Sequence, residues 1–99
     1  MPEDPVPPVV VPAPTELDLA SAPVFERDLD AAFRTCAEVV VADMGHTTFC
    51  DSSGLKVLMQ AAMRARAGRQ RFEVRSPSPM LRRMVQILGA TGLLDLADD

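Results

Sequence analysis

The order of hydrophobic patterns along the chain predicts an α/β domain built on a mostly parallel sheet. Three observations carry this reading. β-branched or apolar runs stand at Val9–Val11 and Val39–Ala42, Phe72 and Val74 alternate with charged neighbours, and stretches with apolar residues at helical spacing separate and follow these runs. Strands that alternate with helices pair in parallel through right-handed crossovers, which gives a sandwich of sheet and helices. With 99 residues the chain has room for one core.

Pro2, Pro5, Pro7, Pro8, Pro12 and Pro14 each remove a backbone donor and restrict the residue ahead. Residues 1–8 are therefore expected to be an extended Pro-rich segment, with the domain proper at 9–97. Within this stretch the Val9–Val11 run, flanked by prolines, suits a short or edge strand near residues 8–12. Ser21 can cap a helix, Pro23 fits its first turn, and Phe25, Leu29, Ala32, Phe33 and Cys36 recur at helical spacing. Those residues predict an amphipathic helix of about 14 residues. Val39–Ala42 runs apolar without alternation, as in a strand covered on both faces by helices.

Gly45, His46, Thr47 and Thr48 read as a turn leading into Phe49 and Cys50. Asp51 or Ser52 then caps a helix carrying Leu55, Leu58, Met59, Ala62 and Met63 on one side, and Gly68 ends it. The alternation of Phe72 and Val74 with Arg71, Glu73 and Arg75 marks a strand with one wetter face, nearer the sheet's edge than Val39–Ala42. Ser78 and Pro79 open a third helix whose stripe is Met80, Leu81, Met84, Val85 and Leu88, stopped by Gly89. Leu93, Leu94 and Leu96 form an apolar tail, expected as one helical turn docked on the core.

Composition excludes several functions. A net charge of -4 argues against a binder of phosphate backbones, whose affinity comes from Lys and Arg. The apolar runs are too short to span a bilayer, and Glu3 and Asp4 stand where a signal peptide needs positive charge, so a cytoplasmic address is expected. Cys36 and Cys50 lack paired spacing and read as small buried apolar groups. His46 in its turn reads as a solvated side chain, and Asp43, His46 and Asp51 lack the spacing of a metal site. Ser52 or Ser53 with His46 as base makes a poor enzyme, because there is no Gly-x-Ser-x-Gly elbow and no third group to orient the base. No cofactor is implied. Met59, Met63, Met80 and Met84 read as core or groove packing, and Arg64, Arg66, Arg69 and Arg71 as a solvated basic face.

Sites in parallel sheets gather beyond the carboxyl ends of the strands, where the loops Thr15–Ser21 and Met44–Ser53 lie. By themselves Ser52 and Ser53 read as helix caps, Asp51 as a second cap, and Asp18 as a carboxylate satisfying amides in its own loop.

In order and spacing, a set of segments resembles the STAS domains of bacterial anti-anti-sigma factors, also called anti-sigma factor antagonists. Thr15-Glu16-Leu17-Asp18-Leu19-Ala20-Ser21 is similar to the family's "GELDLAT" segment, and Val39 to Phe49 to its central strand and turn. Asp51-Ser52-Ser53-Gly54-Leu55 is similar to its signature, and Arg75-Ser76-Pro77-Ser78-Pro79 to its "NPSP" turn, with Leu81 to Leu94 matching the closing "TGL" region. The resemblance implies a single STAS-like domain: a mostly parallel four-stranded sheet, its N-terminal strand short or truncated, packed by three to four helices. It implies a binding module and phosphorylation substrate, not an enzyme, with Ser53 as phosphate acceptor. Asp18, Asp51, Ser52, Ser53, Gly54 and Lys56 are the expected partner-contact residues, with Gly54 leaving room for close approach.

The implied partners are an anti-sigma factor serine kinase, which the unphosphorylated form binds so that sigma factor is freed, and a PP2C-type phosphatase. The alternative role is a STAS scaffold or subunit of a stress-signalling or lipid-transport complex with no phosphorylation cycle. Two departures stand out: Thr15 and Lys56 replace glycines usual in the family. A monomer or weak dimer is expected, because prolines oppose pairing along Val9–Val11.

Overall fold

The computed structural model describes residues 6–89 and 92–97, so most of the Pro-rich segment, residues 1–5, lies outside the described residues. Strand β1 (Val9–Pro12) leads through β2 (Glu16–Leu17) to helix α1 (Ala22–Phe33). Strand β3 (Val39–Asp43), β4 (Phe49–Cys50) and α2 (Ser52–Ala67) follow, then β5 (Arg71–Arg75), α3 (Pro79–Ile87) and β6 (Asp95–Ala97). The main sheet has the order β1-β3-β5-β6 and every pairing in it is parallel. The expected mostly parallel four-stranded sheet packed by three to four helices is thus observed, with three helices among the described residues.

Successive crossovers all step the same way across this sheet, and right-handed connections then put every helix on one face. Alternation along the strands agrees. Val9 and Val11, Val40 and Ala42, Phe72 and Val74, and Leu96 turn to the same core as Phe25, Leu29 and Phe33 of α1, Leu55 and Leu58 of α2, and Leu81 and Val85 of α3. The expectation that β3 is covered by helices on both faces is therefore corrected. Val41, on the far face, is 1% exposed without belonging to that core, and lies in register between Val10 and Glu73. β5 is also not nearer the edge than β3, because β6 pairs along its outer side.

That edge comes from the tail expected to be a helical turn. Asp95–Ala97 is extended and pairs Glu73↔Asp95, Val74↔Leu96 and Arg75↔Ala97, which satisfies the outer backbone of β5 while Leu94 is buried. Helix α1 is 12 residues long, shorter than expected. It closes before Cys36, whose backbone is left-handed (φ 65°) and whose side chain is exposed, so the expected burial of Cys36 fails. Gln70 completes that end by donating to Phe33 O at 3.1 Å and Ala37 O at 2.8 Å. Of the methionines, Met59 and Met84 pack against the core, whereas Met63 and Met80 are exposed, as is Leu88 of the expected α3 stripe. Gly89 follows α3 with φ 69°, a left-handed position that glycine occupies without a Cβ penalty.

α1 and α2 are tied at their solvent side by Asp30, which pairs with Arg34 at 2.9 Å and with Arg64. The Arg64 guanidinium lies 5.4 Å from the centre of the Phe33 ring. Of the expected solvated basic face, three arginines are engaged: Arg64 as described, Arg66 donating to Gly92 O at 3.0 Å, and Arg71 paired with Asp95 at 3.5 Å.

Candidate functional site

The two loops beyond the strand ends are joined by an element that periodicity did not reveal. β2 and β4 form a two-residue parallel pair, Glu16↔Phe49 and Leu17↔Cys50. Main-chain bonds extend it on both sides, from Thr48 N to Thr15 O at 2.8 Å and from Asp51 N to Leu17 O at 3.2 Å. Thr47 adds its hydroxyl, donating to Pro14 O at 2.8 Å. The consequence is that Asp18, next after Leu17, and Asp51, next after Cys50, emerge from neighbouring strand ends.

Asp51 is the N-cap of α2. One carboxylate oxygen accepts from Ser53 N at 2.8 Å and Gly54 N at 3.2 Å, which satisfies two of the amides a helix start leaves free. A cap of this kind is worth about 0.5–2 kcal/mol. Asp18 does comparable work in its own loop: its Oδ1 accepts from Ala20 N and Ser21 N, both at 3.0 Å. Ser21 stands at the N-cap of α1 yet makes no side-chain bond to that helix. Its hydroxyl instead accepts from Asp18 N and donates to Glu16 O at 2.6 Å, locking the loop.

Among the expected site residues, Ser52 and Lys56 are exposed, while Asp18, Asp51 and Ser53 are partly exposed. Lys56 lies one turn into α2, three positions after Ser53 and four after Ser52, so it shares their side of the helix. Gly54 is buried, and a Cβ there would stand 2.6 Å from Leu17 Cγ and 2.8 Å from Cys50 Sγ. The missing side chain therefore lets α2 seat on the β2–β4 pair. Two residues that the motif did not point to complete the surface: Leu19 is 76% exposed and Phe49 is 46% exposed. The signal for Phe49 was present, since strand alternation sends it outward wherever Cys50 points in.

Cys50 sits beneath this surface. Its thiol is pushed up to about 11 from the ordinary 9.0, first by burial and then by the charge of Asp51. The folded state thus favours the protonated thiol, a contribution fully present below 9.0 and lost as pH rises through about 11. At neutral pH, iodoacetamide is expected to label Cys36 in the folded protein and to leave Cys50 unmodified. Equal labelling of the two by peptide mass spectrometry contradicts this. His46 is exposed in its turn, and among the described residues no group of three His, Cys, Asp or Glu side chains could hold a metal ion. No described helix is long and apolar enough to cross a membrane.

Comparison with known proteins agrees with this arrangement. Residues 5–95 match the family described as "Mlab, STAS domain". Among solved structures, the Bacillus cell-fate determinant SpoIIAA in its phosphorylated form superposes with a TM-score of 0.71 at 23% identity, over 91% of this chain and 82% of that one. The anti-sigma factor antagonist SpoIIAA in its unphosphorylated form gives 0.74 at 22% identity, over 91% and 79%. The Thermotoga maritima protein TM1081 gives 0.79 at 17% identity, over 91% and 80%. Among curated proteins, no relative matches the chain.

Proposed function

The chain belongs to the STAS domain family, and from that premise we propose that it acts as an anti-sigma factor antagonist by partner switching. In its unphosphorylated form it binds a serine-kinase anti-sigma factor and frees the sigma factor; phosphate on Ser53 turns it off, and a PP2C-type phosphatase resets it. The observation that carries this reading is the first turn of α2. Asp51 occupies the Ser53 and Gly54 amides, Ser52 is exposed and Ser53 partly exposed, and Leu19 and Phe49 of the adjoining segments are exposed. Exposed apolar side chains around hydroxyls suit a protein partner better than a small substrate. The fold's likeness to SpoIIAA in both phosphorylated and unphosphorylated forms supports the same reading.

The switch needs no change of fold. A phosphate brings about -1.5 to -2 charge to a surface that already holds Asp51 and Asp18, and a partner fitted to the neutral hydroxyl is expelled. A coupling of about 1–3 kcal/mol, an ordinary range, changes affinity roughly five- to 150-fold. Mixing the protein with candidate anti-sigma kinases and ATP should place phosphate on Ser53 by mass spectrometry, and Ser53→Ala should abolish it. Ser53→Asp should weaken partner binding within that range while Ser53→Ala keeps it.

The Mlab-type family match and Lys56 favour a second reading, a STAS subunit of a stress-signalling or lipid-transport complex that binds through the same surface without phosphorylation. Equal partner affinity of Ser53→Asp and Ser53→Ala would select it.

A further inference from the structure

Strand β1 is an edge of the main sheet among the described residues, and such an edge ordinarily invites another strand. Its backbone directions can be assigned. Ala13 N donates to Asp43 O at 2.9 Å, so Ala13 turns its polar groups toward β3. In a strand these directions alternate, so Val9 and Val11 also face β3, as the ladder Val9↔Val40 to Pro12↔Asp43 requires. Val10 and Pro12 then face outward, and Pro8 is the next residue of the same parity.

Two of those three outward residues are prolines, which have no N–H. We infer that β1 is an edge closed to main-chain pairing, so that neither a second copy of this chain nor an extended peptide adds to it as a strand. Partners are left to side-chain surfaces. In a symmetric antiparallel pair of copies centred on Val10, only the two bonds that Val10 and its counterpart exchange could form, because the flanking Pro8–Pro12 positions have no donor on either chain. Pro7, of opposite parity, plays no part in this closure. The inference concerns a different face of the molecule from the Ser53 surface and stands whether or not Ser53 is phosphorylated.

The test compares wild type, the double variant Pro8→Val/Pro12→Val and the control Pro7→Val by light scattering over a wide concentration range, with hydrogen exchange at the Val10 amide. The double variant is expected to double its mass with concentration and to protect the Val10 amide as it does so. Wild type and Pro7→Val should keep that amide exchanging at a rate independent of concentration. Three results would each overturn the inference: a double variant that folds by circular dichroism yet stays monomeric, Pro7→Val associating as strongly as the double variant, or concentration-dependent protection of Val10 in wild type.

Discussion

Gly54→Val is expected to lower the melting temperature more than any other single change at the Ser53 surface. A Cβ at this position would stand 2.6 Å and 2.9 Å from Leu17 Cγ and Cδ2, and 2.8 Å from Cys50 Sγ. Neither neighbour can retreat easily. Leu17 is wholly buried, and both belong to the β2–β4 pair, held by main-chain bonds on either side. Alanine alone would cost about 1–3 kcal/mol through overpacking, against about 1 kcal/mol regained from better helix propensity. Valine adds two further methyls and a worse helix former, so about 3 kcal/mol or more is expected. In a domain of this size each kcal/mol is worth about 4–8 °C, and a thermal melt by circular dichroism should fall by at least about 12 °C. A melting temperature within a few degrees of wild type would mean that α2 does not seat on Leu17 and Cys50 as described.

Leu17→Ala is the second large effect, because it removes the other half of the same contact. Deleting a fully buried leucine side chain costs about 2–5 kcal/mol, according to how far the site can collapse. The pairing makes a sharper statement possible. With Leu17 truncated, the space needed by a Cβ at position 54 is partly vacated, so Gly54→Ala should cost less in the Leu17→Ala background than in wild type. A coupling of about 0.5–3 kcal/mol in that direction is expected from denaturant unfolding of the four proteins. Strict additivity would contradict direct packing between the two residues.

These two residues also mark where sequence reading stopped. Val9–Val11, Val39–Ala42 and the Phe72/Val74 alternation announced the three longer strands, and the stripes of α1, α2 and α3 were readable, because each element is long enough for its period to repeat. Leu17 and Cys50 belong to strands of two residues, which have no period to read. β6 was hidden for a related reason: three residues with two apolar neighbours suit a helical turn as well as a strand, and only the open side of β5 decides between them. Cys36 looked buried because its spacing continued the α1 stripe, but the helix had already ended at Phe33.

At the site, Asp51, Ser52 and Ser53 were legible as a helix start, since capping chemistry is local. The packing of Gly54 was not. Only the position of Leu17, 37 residues away in the chain (54 minus 17), shows that this glycine beside two serines also makes an internal contact. Leu19 stayed hidden because hydrophobicity alone suggests burial, whereas the Asp18–Ser21 bonds hold its loop away from the core.

The β2–β4 pair also bears on the order in which the molecule can come together. Thr47 and Thr48 reach back to Pro14 and Thr15 across a separation of 33 residues, a loop that closes only once β1, α1 and β3 are in place. The main-chain tie of this region to later residues is Met44 N to Arg75 O, at the end of β5. β6 pairs along β5, through Glu73, Val74 and Arg75. During synthesis, then, the β2–β4 pair beneath Ser53 can form once β4 has emerged, and β6, among the last residues made, closes the outer side of β5.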